Sequence, residues 1–403
     1  MSPQPSFSTQ AVHAGEARPN PYHAVTTPIV QTSTYCFDST ADVRAYKESE
    51  RAALRPTRGE YGRYGNPTGW AVEEKVAALE GAENALLFCT GMSAQTTVLL
   101  ALLSPGDHLI VTHDLYRKTR QFCNQVLRRL GIETTYVPID DPGTLERALR
   151  PQTRLVFTEV PTNPYLRVPD LRRLSHLAHA RGARLFVDST FATPYNLRPL
   201  EHGADLVMHS ATKYMGGHND LLAGVLAGPH ELIKAVREVQ SMLGGTVDGT
   251  GAYLLLRGLK TLGLRMERHN ENGLRLARFL EGHPGVERVF YPGLSGHPDH
   301  ALASRQMRGY GGVVSFEVGG GMEGVETFID ALRIPRIGPS LGGVESLVEQ
   351  PALMSHFELD PEERRAIGVT DGLVRYAAGI EDADDLIADL AQALDRVAWR
   401  RGS

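Results

Sequence analysis

The stretch LFVDSTFATPYNLRPLEHGADLVMHSATK, residues 185–213, holds two short apolar runs, Leu185–Val187 and Leu206–Met208, each leading into polar residues. Short runs rich in Val, Leu and Phe read as buried strands. The pattern repeats upstream at Ala85–Phe88, His108–Val111 and Leu155–Phe157. Between the runs lie amphipathic stretches such as Asp170–Arg181, with Leu171, Leu174 and Leu177 on one side. Strands and helices alternating over residues 70–260 predict stacked βαβ units, hence an α/β fold with a mostly parallel central sheet.

Asn163, Asp188 and Lys213 each follow a predicted strand and are spaced 25 and 25 residues apart, about one strand–helix–strand step. In an open parallel sheet the carboxyl ends of the strands line one crevice, so all three side chains are expected in the same place. Asp188 and Lys213 also have a plainer reading. Asp after a strand is a common helix cap, and a loop lysine is commonly solvated. A lysine held near buried polar groups, however, can have its pKa lowered, which would make Lys213 a nucleophile toward aldehydes. Thr90-Gly91-Met92-Ser93 opens a helix over Ala94–Leu103, where free N–H groups and the dipole favour an anion. It is neither a Walker loop nor a GxGxxG fingerprint. In Tyr61-Gly62-Arg63-Tyr64-Gly65-Asn66-Pro67-Thr68, Arg63 suits a bidentate phosphate pair, or the segment is an ordinary turn before a helix starting near Trp70.

The rest of the chain sets bounds. It has 403 residues, with 42 Lys plus Arg against 47 Asp plus Glu, a formal net charge of −5. That balance argues against nucleic-acid and anionic-membrane partners. No run of about 18 apolar residues occurs, so no transmembrane helix is expected. The start lacks a basic-then-apolar signal pattern. Three cysteines, Cys36, Cys89 and Cys123, form no CxxC pair and point to a reduced, cytoplasmic compartment. His176 and His179, three apart on a helix, lack a third ligand nearby, so no metal is expected.

Residues 1–60, broken by Pro19, Pro21, Pro28 and Pro56, read as an irregular arm lying on another surface, such as a second subunit. A large domain is expected over 61–262 and a smaller α/β domain over 263–403. The proline-free stretch Ala252–Leu280 joins them. Gly312–Glu317 and Leu373–Ala378 read as strands. A last helix starts at Glu381–Asp385, carries Ile387, Leu390, Leu394 and Val397 on one face, and ends near Arg400 and Arg401.

The motifs together resemble those of the transsulfuration enzymes of Cys/Met metabolism, which use pyridoxal 5′-phosphate on the fold-type-I aminotransferase scaffold. They are YGRYGNPT (61–68), TGMSA (90–94), PTNP (161–164), VDSTFATP (187–194), HSATKYMGGHND (209–220), SLGGVESL (340–347) and LVRYAAGIED (373–382). The resemblance implies that Lys213 binds the cofactor covalently and shuttles protons. It implies that Asp188 pairs with the pyridine nitrogen, Tyr116 stacks on the ring and Asn163 meets its 3-oxygen. Gly91 and Met92, with Ser210 and Thr212, would hold the phosphate. Tyr61 and Arg63 would reach a neighbouring subunit's site, implying a homo-oligomer, usually a dimer of dimers. Arg375 would clamp the α-carboxylate of an amino-acid substrate, and Ser340 would sit beside the Lys213–substrate linkage.

Within that family, four stretches resemble cystathionine γ-synthases of the plant type: Tyr116-Arg117-Lys118-Thr119-Arg120, GGHNDLLAG (216–224), RQMRGYGGVVSFE (305–317) and EQPALMSH (349–356). Pro339 stands where cystathionine-cleaving relatives often carry an acidic residue. The implied reaction is γ-replacement on an activated homoserine ester by cysteine, with Lys118 placed to meet an anionic leaving group or simply solvated at the surface. The alternatives are a γ-lyase acting on cystathionine or methionine, and a sulfhydrylase using sulfide. A ligand-binding regulator is disfavoured, since both Lys213 and Asp188 are present and no helix-turn-helix segment is evident.

Overall fold

The computed structural model describes residues 5–52, 58–355 and 368–397, and the isolated positions 357, 360, 362 and 364. A seven-stranded sheet runs in the order β1-β7-β6-β5-β4-β2-β3. Its strands are β1 Asn84–Phe88, β2 His108–Thr112, β3 Glu133–Val137, β4 Thr153–Glu159, β5 Arg184–Asp188, β6 Leu206–His209 and β7 Gly224–Gly228. Only β7 runs against its neighbours, pairing antiparallel with β1 and β6, so the expected mostly parallel sheet is present. A second, five-stranded sheet is ordered β10-β11-β12-β9-β8. Its strands are β8 Val286–Phe290, β9 Val313–Val318, β10 Arg336–Ile337, β11 Leu347–Glu349 and β12 Leu373–Ala377.

Two predicted elements shift. The stretch Ala252–Leu280 is two helices, Gly249–Lys260 and Leu262–Glu281, interrupted at Thr261. The arm is not wholly irregular, for it contains α1 Phe7–His13 and α2 Thr40–Ala52. Few apolar residues recur there because α1 buries only Ala11 and sets Phe7 edge-on to Tyr195, with ring centroids 5.2 Å apart. Pro56, Arg400 and Arg401 lie outside the described residues. The final helix, Ala383–Leu394, is capped by Asp382 with Asp384 and Asp385 in its first turn, where they complement the dipole.

The parity of β5 positions the site. Side chains two apart on a strand share a face. Phe186 faces the layer that contains Val98 and Leu99, together with Phe157 and Met208. Val187 faces the opposite layer with Leu171 and Leu174. Helix α3 Pro67–Glu80 leads into β1, and Asp188 therefore projects on the side of α4 Gly91–Leu102, the helix that follows β1. The rings of Phe157 and Phe186 stack at 4.3 Å beneath it. The second sheet closes over this edge: the Ser315 hydroxyl donates to the Pro164 carbonyl at 2.6 Å, and the Gly312 amide donates to the Tyr214 hydroxyl at 3.1 Å.

Candidate active site

Adjacent strands β4, β5 and β6 deliver Asn163, Asp188 and Lys213 from their carboxyl ends. Lys213 Nζ donates to Ser340 Oγ at 2.7 Å. Burial, helped by the nearby Arg375 cation and opposed by Glu349, pushes the Lys213 ammonium down to about 8. Ser340 has φ 153°, a conformation uncommon for a residue with a Cβ, so the backbone holds this hydroxyl at some conformational cost.

Arg375, buried on β12, binds the wall opposite. Its Nη1 donates to Asn163 Oδ1 at 3.1 Å and pairs with Glu349 Oε1 at 3.0 Å, while Nη2 donates to the Ser340 carbonyl at 2.9 Å. Its Nε is buried with no hydrogen-bond partner. A buried guanidinium donor left open in this way fits an incoming carboxylate.

Asp188 is buried, and burial raises its carboxyl above the usual range despite the opposing hydrogen bonds from Thr190. Both the Thr190 amide (3.0 Å) and its hydroxyl (2.5 Å) donate to Oδ1, and no ion pair reaches Asp188 among the described residues. A buried carboxylate of this kind suits a protonated ring nitrogen as its missing cation. Thr190 Oγ1 also accepts from the Ser210 amide at 2.8 Å, tying Asp188 to the turn that precedes Lys213.

The same turn meets the start of α4. A Cβ placed on Gly91 would lie 2.8 Å from Ser210 Cβ, so only hydrogen fits there. Because α4 begins at Gly91, the amides of Gly91 and Met92 have no acceptor within the helix. Thr90 caps the helix by accepting from the Ser93 amide at 2.9 Å. Free amides beside the Ser210 hydroxyl make a cradle for a phosphate. The Thr212 hydroxyl is instead engaged with the backbone of Ala223, at 3.2 Å to its carbonyl and 3.0 Å from its amide.

The other expected residues are more loosely joined. Tyr116 is 46% exposed, and its amide donates to Glu159 Oε2 at 3.1 Å. Lys118 is exposed two residues on, in the helix α5 Arg117–Phe122. Tyr61 and Arg63 are not joined to Lys213 within one chain. Arg63 lies over the rings of Tyr61 and Tyr64, 5.5 and 4.9 Å from their centroids, and donates to the Ser241 carbonyl. Cys123 is no nucleophile, since burial pushes its thiol up to about 12. His179 is paired with Asp205 at 2.8 Å.

Three further residues belong to the arrangement and are silent in the sequence. Thr190 links Asp188 to Ser210. Glu349 neutralises Arg375. Glu159, the register partner of Asp188, is a second buried carboxyl, pushed well up by burial and by its acidic neighbour. Glu159 and Glu349 each end a strand, which was the only available signal.

The profile of the Cys/Met metabolism PLP-dependent enzymes matches residues 8–395. This chain belongs to that family. Cystathionine gamma-synthase 1, chloroplastic, of Nicotiana tabacum is 50% identical over 97% of this chain and 72% of its own length. The L-methionine gamma-lyase of Treponema denticola is 43% identical over 97% of each chain. The crystal structure of metB from Corynebacterium glutamicum superposes with a TM-score of 0.90 at 38% identity, covering 97% of this chain and 98% of that one. The enzyme is dependent on pyridoxal 5′-phosphate, and the desolvated amine, the Asp188 carboxyl without an ion-pair partner and the amide cradle fit that group.

Capture of the cofactor by the apo-enzyme tests the amine directly. Only the neutral amine attacks an aldehyde, so uptake is expected to accelerate as pH rises and to level off above about pH 8. Stopped-flow absorbance across pH 6–11 reads this out (about five pH units, bracketing both the free and buried lysine values). An inflection near the free lysine value would show that Lys213 is not desolvated.

Proposed function

We propose that this enzyme carries out γ-replacement, joining an activated homoserine ester (O-succinyl-, O-acetyl- or O-phosphohomoserine) to L-cysteine to give cystathionine. The observation that carries the reading is the pairing of a weakly basic, buried Lys213 amine with the carboxylate-seeking face of Arg375, in a chain whose highest-identity relatives named above include a cystathionine γ-synthase. Pro339 beside Ser340 leaves that position without the acidic group often found in cystathionine-cleaving relatives.

Each residue then has a task. Arg375 binds the α-carboxylate and so orients Cα toward Lys213. Asn163, held by Arg375, meets the ring's 3-oxygen, and Tyr116 covers the ring. Ser210 and the amides of Gly91 and Met92 hold the phosphate, while Thr212, its hydroxyl spent on Ala223, braces the turn. Asp188 keeps the pyridine nitrogen protonated. Pyridoxal 5′-phosphate, when bound, supplies the electron sink for carbanions at Cα and Cβ. Lys213 takes the Cα proton and returns protons after the thiol adds. Over the cycle the Cγ–O bond breaks, an S–Cγ bond forms, and the thiol proton leaves with the carboxylate or phosphate released. Lys118 meets that anionic leaving group. Tyr61 and Arg63 complete the site of a second copy, so the working enzyme is a homo-oligomer in a reducing, cytoplasmic compartment, and its three cysteines are free thiols.

A substrate panel tests this. The homoserine esters with cysteine are expected to yield cystathionine. Release of ammonia and a 2-oxo acid from cystathionine or methionine alone, with no thioether formed from ester and cysteine, would assign a γ-lyase instead. A strict need for sulfide would assign a sulfhydrylase.

A further inference from the structure

A cavity of about 390 Å³ opens directly beside Ser340 and Thr212, within the size range of small-molecule sites, about 300–1,000 Å³. It is walled by Leu221, Leu222 and Leu347 and carries two charges of opposite sign, Arg336 and Glu345. Arg336 sits on β10, four residues before Ser340, and its amide is fixed to the Ser346 carbonyl at 3.1 Å. Its guanidinium has no side-chain partner among the described residues. Glu345 accepts from Asn219 Nδ2 at 2.8 Å and has no cationic partner among the described residues. The two charges thus share one cavity without closing an ion pair on each other. Arg375, which serves the first substrate, is committed to Asn163, Glu349 and the Ser340 carbonyl, leaving Nε and one Nη2 hydrogen.

We infer that this cavity binds the second substrate as a zwitterionic α-amino acid thiol, with Arg336 taking its carboxylate and Glu345, steadied by Asn219, taking its ammonium. The inference rests on the γ-replacement reading. Two held-apart opposite charges match a ligand that carries both, and neither a sulfide ion nor a simple anion would use the pair. The apolar wall at Leu221 and Leu347 suits the thiol-bearing carbon. A thiol entering from this side approaches the Lys213–Ser340 contact, where the Cγ bond forms. Arg336 and Glu345 therefore act as specificity residues, and the proton of the attacking thiol is the only one the cavity must release.

The test compares holoenzymes with three thiols and one homoserine ester: L-cysteine, 2-mercaptoethylamine, which lacks the carboxylate, and 3-mercaptopropionate, which lacks the ammonium. Arg336→Gln is expected to lower kcat/KM for cysteine by about 10–100-fold, the loss of one charge-assisted hydrogen-bonding partner, and to leave 2-mercaptoethylamine nearly unaffected. Glu345→Gln, whose amide oxygen still accepts from Asn219, is expected to penalise cysteine and spare 3-mercaptopropionate. KM for the ester stays within about twofold in both variants. Three results would overturn the inference: unchanged cysteine kinetics, an equal fall with all three thiols, or a raised KM for the ester, which would give Arg336 to the leaving group. If the unmodified enzyme forms no thioether from ester and cysteine, it is the γ-replacement reading that fails, and the inference goes with it.

Discussion

Lys213→Ala is expected to slow turnover of the homoserine ester by at least about 10³-fold, because general acid–base and covalent roles are lost together. The geometry leaves no substitute. Nζ is partly buried and desolvated, its polar contact is the Ser340 hydroxyl at 2.7 Å, and a serine hydroxyl is far too weak a base to replace an amine held near 8. Lys213→Arg keeps a cation yet is expected to fare no better, since a guanidinium is never neutral at working pH. Borohydride treatment followed by peptide mapping should label position 213 in the parent enzyme and nothing in the variant, while circular dichroism stays unchanged. Retention of a tenth of the activity in Lys213→Ala, on the order of one pKa-unit equivalent, would sink the assignment.

Arg375→Leu has two expected consequences, and they can be separated. The substitution strands the Glu349 carboxylate, only 2% exposed, without its cation. Breaking a buried ion pair from one side costs about 3–5 kcal/mol. Denaturant unfolding should show that loss. The substitution also removes the proposed carboxylate clamp, so KM for the ester should rise about 100-fold, the worth of a buried charge-assisted contact. The double variant Arg375→Leu/Glu349→Leu relieves the stranded charge, and most of the stability is expected to return while KM stays high. Recovery of KM alongside stability would show that Arg375 only props up the fold.

The residues that were readable in advance share one property: their chemistry shows at the strand end where they sit. Buried runs such as Leu185–Val187 announced β5, and the 25-residue steps placed Asn163, Asp188 and Lys213 on one edge. Strand β3, Glu-Thr-Thr-Tyr-Val, was illegible because it lies at the sheet edge and is mostly half-exposed, so apolar patterning is weak. Strand β7, Gly-Val-Leu-Ala-Gly, was hidden by its flanking glycines. Helix α1 could not be seen from periodicity because it buries one alanine. Thr190, Glu159 and Glu349 were missed for another reason. Each matters through a partner far away in the chain, and no local pattern records a threonine bridging Asp188 to Ser210 or a glutamate answering Arg375.

The close approach of Gly91 to Ser210 also bears on how such an enzyme can change over evolutionary time. The pocket proposed for the cofactor's phosphate is assembled from main-chain amides, with space for nothing larger than hydrogen at its tightest point, and offers mutation almost nothing to tinker with. Divergence toward new sulfur or oxygen nucleophiles must instead run through the rim, where exposed side chains such as Arg336 and Glu345 can be exchanged while the anchorage is left alone.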